Sequence, residues 1–182
     1  MKVAAFDLSS QTGWAVWDGV SAIPTLGKKR VLHWDRDEGI MLEHWRQWLG
    51  RFLREHAPEA VAVEAPALGN HTDAPTIYRQ AMIRGFVLWG CHQLQIPTYS
   101  IPPSSWRKSF IGFGRIPKGT GQTWKVLACK RCTALGWEYP DHNAAESGGV
   151  LNHLVTEILG ITPPWAGDRL SLPLPEILPN EH

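Results

Sequence analysis

Between Asp73 and Glu138 the sequence has no acidic residue at all. Other things are scarce as well. Cysteine occurs three times in 182 residues, an odd count without the spacing of a disulfide framework, which predicts a reducing, cytoplasmic setting. No apolar run approaches the roughly 18 residues a membrane helix requires, so no association with a membrane is expected. The opening Met1-Lys2-Val3-Ala4-Ala5-Phe6-Asp7 reaches a carboxylate too early for the apolar core of a signal peptide, and no internal repeat is visible. With 43% apolar residues, a chain of this length is expected to form one domain with a real core.

What the acid-free stretch does contain is positive charge. From Ala74 to Trp137 stand Arg79, Arg84, Arg107, Lys108, Arg115, Lys118, Lys125, Lys130 and Arg131, so this segment carries +9 and the remainder −8. The formal net charge of +1 conceals that asymmetry. A partner meets a face and not a sum, and a positive segment suits a phosphate backbone, whose affinity comes largely from counterion release. The ordinary alternative is a solvated surface whose balancing acids lie near in space.

The apolar pattern predicts strands over Lys2–Leu8, Trp14–Trp17 and Lys29–Trp34, joined by short turns at Ser9–Gly13 and Asp18-Gly19. A helix over Gly39–His56 follows, with Met41, Leu42, Trp45, Trp48, Leu49, Phe52 and Leu53 on one face. Then come a strand over Ala60–Ala65, a helix over Thr76–Leu94 and a strand over Pro97–Ile101. Ser104–Lys118 reads as mixed and glycine-punctuated, ahead of helices over Gln122–Leu135 and Asp141–Leu159. After Gly160 five of the fourteen prolines mark a tail, giving a domain over residues 1–160 and a Pro-rich segment over 161–182 that drapes or stays mobile. The order βββαβαβαα predicts a mixed α/β sheet with helices on its faces.

Two acids sit at the ends of apolar strands, Asp7 and Glu64, and a third group, Asp141 to Glu146, opens the last helix. Buried carboxylates need a partner or a metal. Should three or four of them converge, the all-oxygen set suits Mg²⁺ or Mn²⁺, and two such ions about 4 Å apart are suited to hydrolysing a phosphodiester. The competing assignments are a strand-end Asp holding its turn, an edge Glu paired to Arg, and Asp141 as an N-cap.

In Phe6-Asp7-Leu8-Ser9-Ser10-Gln11-Thr12-Gly13, in Val61-Ala62-Val63-Glu64, in Pro103-Ser104-Ser105-Trp106-Arg107-Lys108 with Gly112 to Lys118, and in Asp141-His142-Asn143-Ala144-Ala145-Glu146, the chain resembles the RuvC-type Holliday junction resolvases of the RNase H-like superfamily, especially their phage and prophage-type relatives. The likeness runs from Lys2 to about Leu159 with the landmarks in order. It implies an RNase H-like sheet of three antiparallel and two parallel strands flanked by helices. It also implies a homodimeric nuclease dependent on Mg²⁺, with Mn²⁺ as a substitute and two ions per site, that nicks a four-way junction to leave 5′-phosphate and 3′-hydroxyl ends. On this resemblance Asp7, Glu64 and Glu146 are the metal-binding and catalytic acids, with Asp141 the fourth. Lys118 contacts phosphate near the scissile bond, and Arg107, Lys108, Arg115 and Lys125 hold the neighbouring DNA. The sequence departs from the family in having Glu146 where Asp is usual and Asn143 where many relatives have an acid, so the fourth ligand stays open between Asp141 and Asn143.

Several other residues carry expectations of their own. Cys129 and Cys132 have the spacing of a zinc half-site without a second pair, and read as small core residues. His142 stands beside the acids as a proton donor or a plain helix-start residue. Trp106, Trp124 and Phe113, interleaved with cations, are candidates for stacking on exposed bases. Met82, Phe86 and Trp89 form either a dimer seam or core, with core preferred. Gly148-Gly149 inside a helix costs roughly 1 kcal/mol each and implies tight packing or a bend. Two rival functions share these signals. One is a junction-binding module with a decayed site, separable by cleavage assays. The other is an actin-like or sugar-kinase phosphate domain, suggested by the Asp7–Gly13 turn, opposed by the length of the chain, and separable by stabilisation with ATP.

Overall fold

The computed structural model describes residues 1–9, 11–30, 37–66, 74–116 and 121–167. Five strands form one sheet in the order β3-β2-β1-β4-β5, with β1 at Val3–Asp7, β2 at Gln11–Trp17, β3 at Thr25–Arg30, β4 at Ala60–Glu64 and β5 at Thr98–Ile101. The hairpins β1/β2 and β2/β3 are antiparallel, while β1/β4 and β4/β5 are parallel. That is the mixed sheet expected from the element order. Helices α1 (Glu38–His56) and α2 (Ala74–Gln93) connect the parallel strands, and α3 (Pro103–Ile111), α4 (Trp124–Leu135) and α5 (His142–His153) follow. Among the described residues no helix is long and apolar enough to cross a membrane.

The central strands are buried on both faces, so their sequences run apolar without alternation. Strand periodicity nevertheless sorts the side chains into two cores. Ala4, Phe6, Val16, Val61 and Val63 pack against α1 and α2 through Trp45, Leu49, Phe52, Ile83 and Val87. Val3, Ala5, Ala15, Ala60 and Ala62 meet Trp106, Leu127, Ala144, Ala145 and Leu151 from α3, α4 and α5. Small residues crowd this second face for a reason: α5 is buried from Asn143 to Asn152 and lies close to the sheet. A Cβ on Gly13 would stand 1.9 Å from the Asn143 carbonyl oxygen, which is why β2 carries glycine there. Gly13→Ala must lift the start of α5 off the sheet. A cost of about 3 kcal/mol is expected, read in a thermal melt as a drop of about 6–12 °C.

The glycine pair in α5 is explained in the same way. A Cβ on Gly148 would press on Leu26 and Trp137 at 2.9 and 3.1 Å, and one on Gly149 would enter the Trp106 ring at 2.5 Å. Tight packing, not a bend at this pair, accounts for both. The helix instead loosens one turn later, where Leu154–Ile158 is a π-helical turn. Beyond it Trp165 drapes back into the core, edge-on to Trp17 and Trp137.

Three expectations are corrected. The third strand lies at Thr25–Arg30, not Lys29–Trp34, because it is an edge strand in register with β2, Thr25 opposite Val16 and Arg30 opposite Gln11. As an edge strand it bears Lys28 and Lys29 and needs no continuous apolar run. Residues 31–36 lie outside the described residues. Ser104–Lys118, read as mixed, begins with α3, whose Pro103 opens its first turn and whose Gly112 caps it in the left-handed region at φ 101°. Finally, α2 turns Ile83, Val87 and Cys91 to the core with Met82 packed half-buried against it, as preferred, but leaves Phe86 only half-buried and Trp89 exposed.

Candidate active site

The two cores already decide where the acids go. Asp7 shares the parity of Val3 and Ala5, and Glu64 that of Ala60 and Ala62, so both strand-end carboxylates project toward α5. Parallel pairing of Phe6 with Val63 sets the two strand ends side by side. From the other direction, the approach of α5 over Gly13, itself the partner of Asp7 across the hairpin, brings in Glu146. Three acids from β1, β4 and α5 thus share one electrostatic site, with Asp7 and Glu146 each buried at 8% exposure.

The charges show how closely these groups are drawn together. Burial pushes the Asp7 carboxyl well above its usual range, followed by repulsion from Glu64 and Glu146 and by a hydrogen bond with Glu64 that favours the protonated form. Glu146 is raised to about 7, again chiefly by burial and then by Glu64, against the opposing pull of Lys125 and Arg107. Among the described residues none of the three is ion-paired at contact distance. Crowded, buried carboxylates without a contacting cation are a donor set suited to hard divalent ions. Among the described residues no three His, Cys, Asp or Glu side chains stand closed up as a metal-ligating group.

Asp141 is otherwise engaged. Its Oδ1 accepts from the Ala144 backbone N–H at 3.1 Å as the N-cap of α5, and its Oδ2 lies 3.4 Å from Lys28 Nζ. Asn143 is buried at the same helix start. The side chain of His142 is half-buried, its pKa lowered by burial and by the nearby Lys125.

The cations fall into groups. Lys125 reaches Asp7 and Glu146 electrostatically from the first turn of α4, and Arg107 reaches Glu146 from α3. Arg107 lies 4.7 Å from the Trp124 ring centroid, and Trp124 in turn packs near Phe113. Lys108 and Arg115 are exposed beyond them. Lys118 lies outside the described residues. Among the described residues Arg131 and Arg84 are engaged internally: Arg131 Nε donates to the Phe110 carbonyl at 2.7 Å, and Arg84 bonds the Glu64 carbonyl and the Ser100 hydroxyl. Lys125, Cys129, Lys130, Tyr139 and His142 line an open groove of about 450 Å³. Cys132 is buried, its thiol donating to the Ala145 carbonyl.

One expectation fails here, and one hydrogen bond has no counterpart in the sequence pattern. Trp106 is fully buried and cannot stack on a base. Instead its indole Nε1–H donates to Glu64 Oε1 at 2.7 Å. No sequence signal points to that bond, since the two residues are 42 apart on separate elements.

No protein-family model matches the sequence. Solved structures do resemble it, and they show that the chain has the RuvC-type, RNase H-like fold. Thermus thermophilus RuvC in complex with a Holliday junction substrate superposes with a TM-score of 0.67 at 20% identity, covering 88% of this chain and 96% of that one. T. thermophilus RuvC in a second structure gives 0.66 at 22% identity over 88% and 97%. The yeast mitochondrial Holliday junction resolvase Ydc2 gives 0.58 at 10% identity over 93% and 80%.

Proposed function

We propose that this chain is a structure-specific endonuclease that resolves four-way DNA junctions by metal-dependent phosphodiester hydrolysis, leaving 5′-phosphate and 3′-hydroxyl nicks. The observation that carries this reading is the meeting of Asp7, Glu64 and Glu146 on the α5 side of the sheet, mutually repelling and edged by Lys125 and Arg107. The fold shared with proteins whose structures include a junction complex supports it. Asp7, Glu64 and Glu146 would hold Mg²⁺ or Mn²⁺, with Asp141 as the fourth acid once released from Lys28. When bound, such ions supply activation of water and charge stabilisation at the scissile phosphate. The side chains themselves orient and exclude: burial keeps bulk water from Asp7 and Glu146, while Arg107, Lys108, Arg115, Lys118 and Lys125 seat the backbone.

Two symmetric nicks require two sites related by a twofold axis, hence a homodimer. The outward side of α2, where Ala81, Met82, Gly85, Phe86 and Trp89 with Arg46 line an open groove of about 460 Å³, is the apolar face such a dimer would cover. The direct experiment sets synthetic junction, duplex, flap and RNA–DNA hybrid side by side with Mg²⁺. Preferential paired nicking of the junction is expected, and equal cleavage of plain duplex, or none of any substrate, overturns the reading. Lys108→Ala and Arg115→Ala should weaken junction binding and flatten the slope of log K against log salt by roughly 1 for each phosphate that is no longer neutralised. Fluorescence anisotropy over a salt series measures it.

A further inference from the structure

Glu64 is the last residue of β4 and only half-buried, so its three rotatable bonds are not fixed by packing. Ordering a glutamate costs rotamer freedom. Besides its hydrogen bond with Asp7, the restraint on Glu64 comes from Trp106. It is fully buried, its Nε1–H lies 2.7 Å from Glu64 Oε1, and its ring is clamped by the bare Cα of Gly149 on α5. Core filling alone does not require this residue: a phenylalanine packs a ring without a donor. The indole N–H is a donor only and carries no charge. It therefore aims the carboxylate without neutralising it, whereas an Arg or Lys in its place would compete with a cation for the same oxygens.

We infer that Trp106, seated by Gly149, is a positioning residue that holds the Glu64 carboxylate in the orientation that receives a divalent cation. The inference rests on the metal-dependent reading above. It also assigns a purpose to Gly149, a poor helix former that makes room for the ring.

The test is a Mn²⁺ titration of the full chain, followed by the electron paramagnetic resonance of free Mn²⁺, on wild type, Trp106→Phe, Glu64→Gln and the double variant. Trp106→Phe should keep its circular dichroism and its junction affinity in EDTA, yet bind Mn²⁺ about 10–100-fold more weakly, as outer-shell partners of metal ligands do. In the Glu64→Gln background the same change should add no further loss, because the bond it removes acts through Glu64. The Mg²⁺ concentration for half-maximal cleavage should rise by the same factor. Gly149→Ala, which displaces the ring, should reproduce the weaker binding and serves should Trp106→Phe not fold. Wild-type Mn²⁺ affinity in a folded Trp106→Phe, or an equal loss with and without Glu64, overturns the inference while leaving the nuclease reading standing. Absence of Mn²⁺ binding by the wild type overturns both.

Discussion

Asp7→Asn is expected to reduce junction cleavage by at least about three orders of magnitude while leaving junction affinity unchanged. The size follows from the several kcal/mol of transition-state stabilisation that bound metal ions supply, at tenfold in rate per 1.36 kcal/mol. The selectivity follows from shape. Asparagine has the volume of aspartic acid, and its amide can keep a hydrogen bond to Glu64, so the β1 end and its packing under α5 stay in place. The Arg and Lys side chains that would bear on phosphate are untouched. Cleavage in Mg²⁺ and gel shift in Ca²⁺ or EDTA, on the same junction, separate the two readouts. Retained nicking by a pure Asp7→Asn preparation would remove Asp7 from the site. Abolished binding would show that the acid holds the fold and not a cation.

That the acids are legible without the fold has a simple cause. An apolar strand ending in a carboxylate is a local conflict, and conflicts of that kind in a buried sheet mark sites where something other than packing decides the residue. Asp7 and Glu64 stand out for this reason, and strand parity then puts both on the α5 side. Glu146 is legible from its place after the Asp141 cap. What cannot be read are relations between distant elements. The edge strand β3 gives a weak apolar signal, since only Leu26 and Gly27 of its six residues are buried and the rest are Thr, Lys and Arg. The nine-residue α3 hides behind its own flanking proline and glycine, although those residues are its start and stop. The partition of the basic segment is equally invisible: nothing local separates Arg131, which holds the Phe110 carbonyl, from Arg115, which faces solvent. Trp106 reverses its expected role because exposure, not composition, decides whether an indole beside cations meets a base or a carboxylate.

The metal-free protein is expected to lose stability as pH rises from about 4.5 through 7. Glu146 titrates near 4.5 in the unfolded chain and at about 7 in the folded one, so the folded state binds more protons across that interval. Its contribution is fully present below the unfolded value and disappears once the folded carboxyl ionises, and Asp7, raised for the same reasons, acts in the same direction. The cluster as a whole, rather than Glu146 alone, should account for about 2–3 kcal/mol, or a fall of about 5–10 °C in Tm between pH 5 and pH 8. Glu146→Gln removes the ionisation and should raise Tm at pH 8 by a comparable amount in EDTA, while flattening the pH dependence. Saturating Mg²⁺ should recover the wild type at pH 8 by mass action and leave Glu146→Gln much less affected, because the variant lacks a ligand as well as the repulsion. Thermal melts of both proteins at three pH values, with and without Mg²⁺, provide the test. A wild-type Tm that climbs steadily to pH 8 in EDTA would mean that the three carboxylates do not face one another in the folded chain.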